Sequence, residues 1–130
     1  IDFLLNSVLK NINSKRGAEV GIASLTALVN FALANNTITI VIVGPLAKEI
    51  SNKFNLSPTR VASILDTTSC FIQGVIPYGA QILAALAASS LVLGEAVAPT
   101  VSPIELIYYL YYPFLTGIAT LCFILFRKNK

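Results

Sequence analysis

The sequence contains no histidine, no methionine and no tryptophan, and only 12% of its residues are charged. Without histidine there can be no Ser-His or Cys-His nucleophile pair, no imidazole metal ligand and no ordinary near-neutral proton shuttle. Without methionine the sequence is expected to be a piece of a longer protein or a processed product. A soluble domain carries about 25% charged residues, so the chain has half the charge needed to cover a water-facing surface. That excludes a disordered tail and a freely soluble enzyme. The two cysteines, Cys70 and Cys122, lie inside uncharged runs and make no disulfide or metal pattern. They are expected to be small buried thiols, and a disulfide-rich secreted module is excluded.

What is present is apolar. Hydrophobic residues make up 55% of the chain and the mean hydropathy is +0.77. Residues 20–47, 67–94 and 106–126 contain no Asp, Glu, Lys or Arg. Uncharged runs of this length read as membrane spans. The net charge of +3 then follows from basic cytoplasmic loops, and a nucleic-acid partner is not expected.

Residues 1–16 read as an amphipathic helix on the membrane surface followed by a basic turn, Ser14-Lys15-Arg16. The next segment, Gly17 to Leu46, would be about 45 Å long as one helix, against a hydrocarbon core of about 30 Å. It is interrupted by Asn35-Asn36-Thr37, residues with poor helix propensity. Pro58 to Leu93 is also too long for one span, about 54 Å, and is interrupted over 73–77 by Gln73-Gly74-Val75-Ile76-Pro77. Ser57-Pro58 marks its start. Ile104 to Phe126 has the length of a single span. Ser102-Pro103-Ile104-Glu105 reads as its capping box, and Pro113 is expected to kink it.

Charge placement selects the topology. The nine Lys and Arg residues all fall in 10–16, 48–60 and 127–130. A single crossing by 17–46 would put the first two groups on opposite sides, against the positive-inside rule. If residues 17–50 instead enter, turn at 35–37 and return, every basic residue lies on the cytoplasmic face of the inner (plasma) membrane. The loop 94–103, with Glu95 and no base, then lies opposite. The fold class expected is all-α integral membrane. A re-entrant helical hairpin (17–50), a broken transmembrane helix (58–93) and a closing transmembrane helix (103–126) would form one repeat of an inverted-repeat transporter. Tyr108, Tyr109, Tyr111 and Tyr112 suit an interfacial aromatic anchor, and Lys48-Glu49 a solvated pair.

Interrupted helices at membrane depth point to a transport site. A break frees carbonyls at one half-helix end and N–H groups at the other. Asn35, Asn36 and Thr37 supply oxygens of the kind a hard cation such as Na⁺ takes. Gly74, Pro77 and Gly79 supply backbone that is expected not to stay helical. Asp66 is the one acidic residue between Pro58 and Gly94. It is expected to share a polar helix face with Ser63, Ser69, Cys70 and Gln73, holding Na⁺ when ionised and a proton when neutral. A weaker stripe runs through Glu19, Thr26 and Asn30, with Glu19 read chiefly as favouring a helix N-terminus.

These residues resemble a known family. AEVGIASLTALVNFALANNTITIVIVGPLAKEI followed by SPTRVASILDTTSCFIQGVIPYGAQ is similar to the C-terminal part of NhaC-type Na⁺/H⁺ antiporters, within the ion transporter superfamily. The resemblance implies two inverted repeats whose hairpins and broken helices meet at the midplane. It assigns Asn35, Asn36 and Thr37 to Na⁺ binding, with Asp66 as the exchanging carboxylate. The candidate site is therefore Asn35, Asn36, Thr37, Asp66, Ser69, Gln73, Gly74 and Pro77, with Na⁺ at the first four. No cofactor is expected beyond the transported Na⁺ and H⁺. The partners expected are the lipid bilayer and an N-terminal half repeat, with a homodimer left open.

Alternative readings are Na⁺- or H⁺-coupled exchange of a small organic acid or amino acid, with N–H groups near Gly74–Gly79 holding the anion, and a membrane fragment that only packs against a partner. An intramembrane aspartyl protease would need a second deep Asp. The hairpin has a direct test: single cysteines replacing Lys15 and Lys48, in a protein lacking Cys70 and Cys122, should react with an impermeant thiol reagent from the same side of the membrane. Reaction from opposite sides would make residues 17–50 a full span.

Overall fold

The computed structural model describes residues 10, 12–93 and 102–126. They form six helices and, among the described residues, no strand. In chain order these are α1 (Lys15–Leu33), α2 (Asn36–Phe54), α3 (Pro58–Val75), α4 (Ala80–Leu93), α5 (Pro103–Tyr109) and α6 (Tyr111–Leu125). Of the expected surface helix, residues 1–9 and 11 fall outside the described residues, and so do loop 94–101 and the terminal residues 127–130.

Helix starts follow local capping chemistry. α1 begins at Lys15 rather than Gly17 because the Ser14 hydroxyl accepts the Gly17 N–H at 3.0 Å. The basic turn thus becomes the first helical turn. Before α3, Ser57 has the extended backbone of an N-cap and Pro58 occupies the first helical position, but no side-chain cap bond forms. The capping box at α5 is complete. Glu105 N–H donates to Ser102 Oγ at 3.2 Å, and Ser102 N–H donates to Glu105 Oε2 at 3.0 Å.

The interruptions lie close to, but not on, the expected residues. The first is at Ala34 and Asn35. Ala34 adopts a left-handed φ of 50° as the C-cap of α1, a conformation that strains a residue with a Cβ. Asn36 and Thr37 belong to the first turn of α2, which runs on to Phe54 with Pro45 inside it. The second break is over residues 76–79, so Gln73 and Gly74 remain in the last turn of α3. Across it α3 and α4 bend by 44°. The closing segment also bends, by 60°, between α5 and α6 at Leu110. Pro113 sits in the first turn of α6, three residues past the bend. A proline there costs little, whereas a helix running through it would clash with the carbonyl four residues earlier.

α1, α2, α3 and α6 pack on one another. Ile22, Leu25, Val43, Leu46, Ile50, Ile64 and Ile124 are among the buried residues at their centre. Glycines allow the closest approaches. A Cβ on Gly117 would come within 2.7 Å of the Phe71 ring, and one on Gly74 would overlap the Pro113 ring. Gly74 therefore lies within a helix as a packing contact, not at the break as the sequence suggested.

A buried charge pair joins the bundle at the end where α1 and α3 begin. Arg60 Nε donates to Glu19 Oε1 at 2.6 Å and Arg60 Nη2 to Glu19 Oε2 at 3.2 Å. The same Nη2 donates to the Phe123 carbonyl at 2.6 Å, and the guanidinium lies 4.1 Å from the Phe123 ring centre. Glu19 is fully buried and Arg60 19% exposed. This corrects the reading of Glu19 as chiefly a helix-terminus charge.

The exterior is apolar. Leu91, Val92, Leu115, Leu121 and the four tyrosines Tyr108, Tyr109, Tyr111 and Tyr112 are exposed. Cys122 is exposed on this apolar exterior and Cys70 is half-buried, so neither is the enclosed thiol expected. No single helix among the described residues is long and apolar enough to cross a membrane, but the bent pairs α3–α4 and α5–α6 are by length and composition.

The charge pair makes an energetic prediction. Removing one partner, in Glu19→Leu or Arg60→Met, leaves the other charge buried and should cost about 3–5 kcal/mol. The double replacement should recover most of that loss. Thermal unfolding of the purified protein in detergent, run as a double-mutant cycle, reads this directly.

Candidate functional site

The two breaks meet. α1 and α2 run to and from the Ala34–Asn35 tip, and their outer ends lie together because Glu19 contacts Arg60 and residues 55–57 join α2 to α3. The tip therefore lies alongside the far end of α3 and the turn that follows it. Asn36 N–H, unsatisfied at the start of α2, donates to Gln73 Oε1 at 2.8 Å. On the other arm, the Tyr78 hydroxyl donates to the Phe31 carbonyl at 2.6 Å, one of the free acceptors at the end of α1. The Tyr78 ring also meets Phe31 edge-on, with centroids 6.0 Å apart. Side chains of the broken helix thus satisfy one open backbone group on each arm of the hairpin.

The tip residues divide the work. Asn35 Oδ1 caps α2 by accepting the Ile38 N–H at 3.1 Å, and the Asn35 carbonyl accepts the Thr39 hydroxyl at 2.7 Å. Asn36 Nδ2 lies 3.9 Å from Cys70 Sγ. Among the described residues, Asn36 Oδ1 receives only the Thr37 hydroxyl, at 3.4 Å. Asn36 and Thr37 thus present the tip's least committed oxygens.

Below the tip lies a buried polar layer. Thr26, Asn30, Thr39, Ser69 and Gln73 are buried. Asn30 Nδ2 donates to the Ser69 carbonyl at 2.5 Å, and Ser69 Oγ donates to the Asp66 carbonyl at 2.9 Å. Asn30 Oδ1 and Thr68 Oγ1 are buried and have no hydrogen-bond partner among the described residues. A buried oxygen without a donor carries a desolvation cost of about 1–3 kcal/mol, so Asn30 Oδ1 marks an acceptor position left open.

Of the expected site residues, the structure brings Asn36 against Gln73, with Ser69 one turn before Gln73 on α3 and in contact with Asn30; Cys70, expected only on the same polar face, lies beside Asn36. Asn35 turns its side chain to capping, and Gly74 packs on Pro113. Pro77 is half-buried in the turn between α3 and α4. Asp66 does not join them, since its side chain is exposed. Ser69 is about 60° away around α3, and that offset separates the covered face from the open one. Two residues matter more than the sequence showed. Tyr78 holds the tip, and Asn30 had appeared only in a weak stripe. The ion pair carried a readable signal: the hairpin topology already placed Glu19 and Arg60 at one end of the bundle.

A model of the Na⁺/H⁺ antiporter family matches residues 1–127. The chain belongs to this family. No curated protein and no solved structure matches it. This is a family of cation/proton transporters of the membrane, not a family of enzymes. Membership agrees with the apolar exterior and with two bent helix pairs of membrane-spanning length.

Gln73→Leu should strand the Asn36 N–H and lower the thermal stability of the protein by about 1–3 kcal/mol. Tyr78→Phe, which removes one hydrogen bond from a partly solvated carbonyl, should cost about 1 kcal/mol. Differential scanning fluorimetry in detergent compares the two. Equal stability of Gln73→Leu and the parent protein would remove Gln73 as the anchor of the tip.

Proposed function

We propose that this chain forms the C-terminal half of a secondary transporter exchanging Na⁺ for H⁺, with residues 17–50 as a re-entrant hairpin and α3–α4 as a broken span. The observation that carries this reading is the docking of the hairpin tip on the α3–α4 break, beside the unpartnered Asn30 Oδ1. Non-helical backbone at membrane depth is tolerated only against protein or a watery cavity, and a site between two such breaks is where transporters hold their ions.

In this reading Asn36 Oδ1, Thr37 Oγ1 and Asn30 Oδ1 are the oxygens offered to Na⁺, a hard cation by analogy with others that take carbonyl and hydroxyl ligands. Asn35 and Gln73 position the tip rather than bind the ion. Asp66, on the open face of α3, faces the place where the second half would complete the site. A single carboxylate shared by Na⁺ and a proton couples the two fluxes, because binding of either ion excludes the other. The basic loops sit on the cytoplasmic side.

The test is proton flux in vesicles holding the full-length protein. Adding Na⁺ should collapse an imposed pH gradient. Asp66→Asn should abolish the effect while leaving the amount of folded protein unchanged. Thr37→Ala, losing one ligand oxygen, should raise the Na⁺ concentration for half-maximal flux by about tenfold. An unchanged rate in Asp66→Asn takes Asp66 out of the mechanism, and a collapse driven only by a dicarboxylate or amino acid replaces Na⁺/H⁺ exchange with coupled anion exchange.

A further inference from the structure

An apolar groove of about 430 Å³ runs between α1, α3 and α6, on a side of the bundle that the tip-to-break contact does not use. Its α1 wall is Val20, Ala23, Ser24 and Ala27, a stripe at helical spacing. Its α6 wall extends from Phe114 to Leu125, about 16 Å along the helix. That is close to half of a hydrocarbon core of about 30 Å, the depth of one leaflet. None of the lining residues is charged.

Basic charge stands at one end. Arg16 continues the α1 stripe one turn before Val20, and Lys15 is beside it. Both are exposed, and neither forms an ion pair among the described residues. The carboxylate on the next turn of α1, Glu19, is held by Arg60. The sequence also places Arg127 and Lys128 two and three residues beyond Leu125. A leaflet-long apolar slot with free cations at its cytoplasmic mouth matches the two parts of a phospholipid.

We propose that this groove is a binding site for an anionic phospholipid, one acyl chain lying between α1 and α6 and the phosphate meeting Lys15 and Arg16. An acyl chain gains by leaving little empty space against the Ala23, Ala27 and Gly117 surface. The headgroup gains from cations at the interface, where basic clusters select anionic lipids. A zwitterionic lipid keeps the first gain and loses most of the second. The proposal rests on the membrane placement of the chain but not on ion exchange, so it can fail or succeed independently of the flux assay.

Native mass spectrometry of the full-length protein, titrated with sixteen-carbon phosphatidylglycerol or phosphatidylcholine, tests it. Phosphatidylglycerol should bind about tenfold more tightly or better. The K15Q/R16Q pair, both at exposed positions, should erase that preference while keeping a chain-dependent baseline. Ala27→Phe and, separately, Ser24→Phe should fill the slot and remove binding of both lipids, with helix content by circular dichroism unchanged. Equal affinity for the two lipids, or an undiminished preference in K15Q/R16Q, overturns the proposal. So does disulfide trapping between Ser24→Cys and a cysteine elsewhere in the protein or in a second copy, which would make the groove a protein–protein contact.

Discussion

The bundle depends on the burial of one ion pair. Glu19 lies in the first turns of α1 with no exposed surface, a position that an unpaired carboxylate could hold only at a cost of several kcal/mol. Arg60 meets that need with two nitrogens, and the same guanidinium reaches α6 through the Phe123 carbonyl and ring. Arginine can do this and lysine cannot, since a planar fork makes several directed bonds while stacking on an aromatic face. Three helices are thereby fixed in register at one end. Because α1 and α3 then run side by side for the same distance, the Ala34–Asn35 tip arrives at Gln73 and Tyr78 rather than a turn above or below them.

That register has a consequence for chemistry. A hairpin tip with open backbone groups is unstable in apolar surroundings unless each group finds a partner. Here Gln73 and Tyr78 take one group from each arm, which leaves Asn36 Oδ1, Thr37 Oγ1 and Asn30 Oδ1 less committed. The scaffold is satisfied by the broken helix and the remaining oxygens are left for something else. In the proposed Na⁺/H⁺ exchanger, such a division would separate the residues that position a site from those that meet the ion. Asp66 stands apart on the exposed face of α3. In the proposed half-transporter, the second half would cover this face.

Much of the architecture was legible in the sequence because the signals are local. The Ser102–Glu105 box acts over three residues, Pro58 marks the first turn of α3, and uncharged runs declare themselves by composition. The exact breaks were less legible. Asn35-Asn36-Thr37 and 73–77 were expected as the interruptions, but helices end where capping oxygens reach the open N–H groups. Asn35 caps α2 from outside it, which draws Asn36 and Thr37 into the helix. Gly74 stays helical because α6 comes close enough to need a residue without Cβ. Pro113 was read correctly as a source of bending but not of its position, since a proline fits the first turn after a bend better than the bend itself.

The sequence by itself determined that this chain is helical, strongly apolar and interrupted at two polar points, and has its basic residues bunched in three short stretches. Each of these follows from residue type and short spacing. The tertiary structure alone decided that Glu19 pairs with Arg60, 41 residues away, and that Gln73 serves the hairpin. It also decided that Ser69 turns inward while Asp66, one turn before it, turns out. Helical periodicity sets which residues share a face. Which face is covered depends on where the other helices lie, and that was settled by the buried charge pair and the glycine contacts.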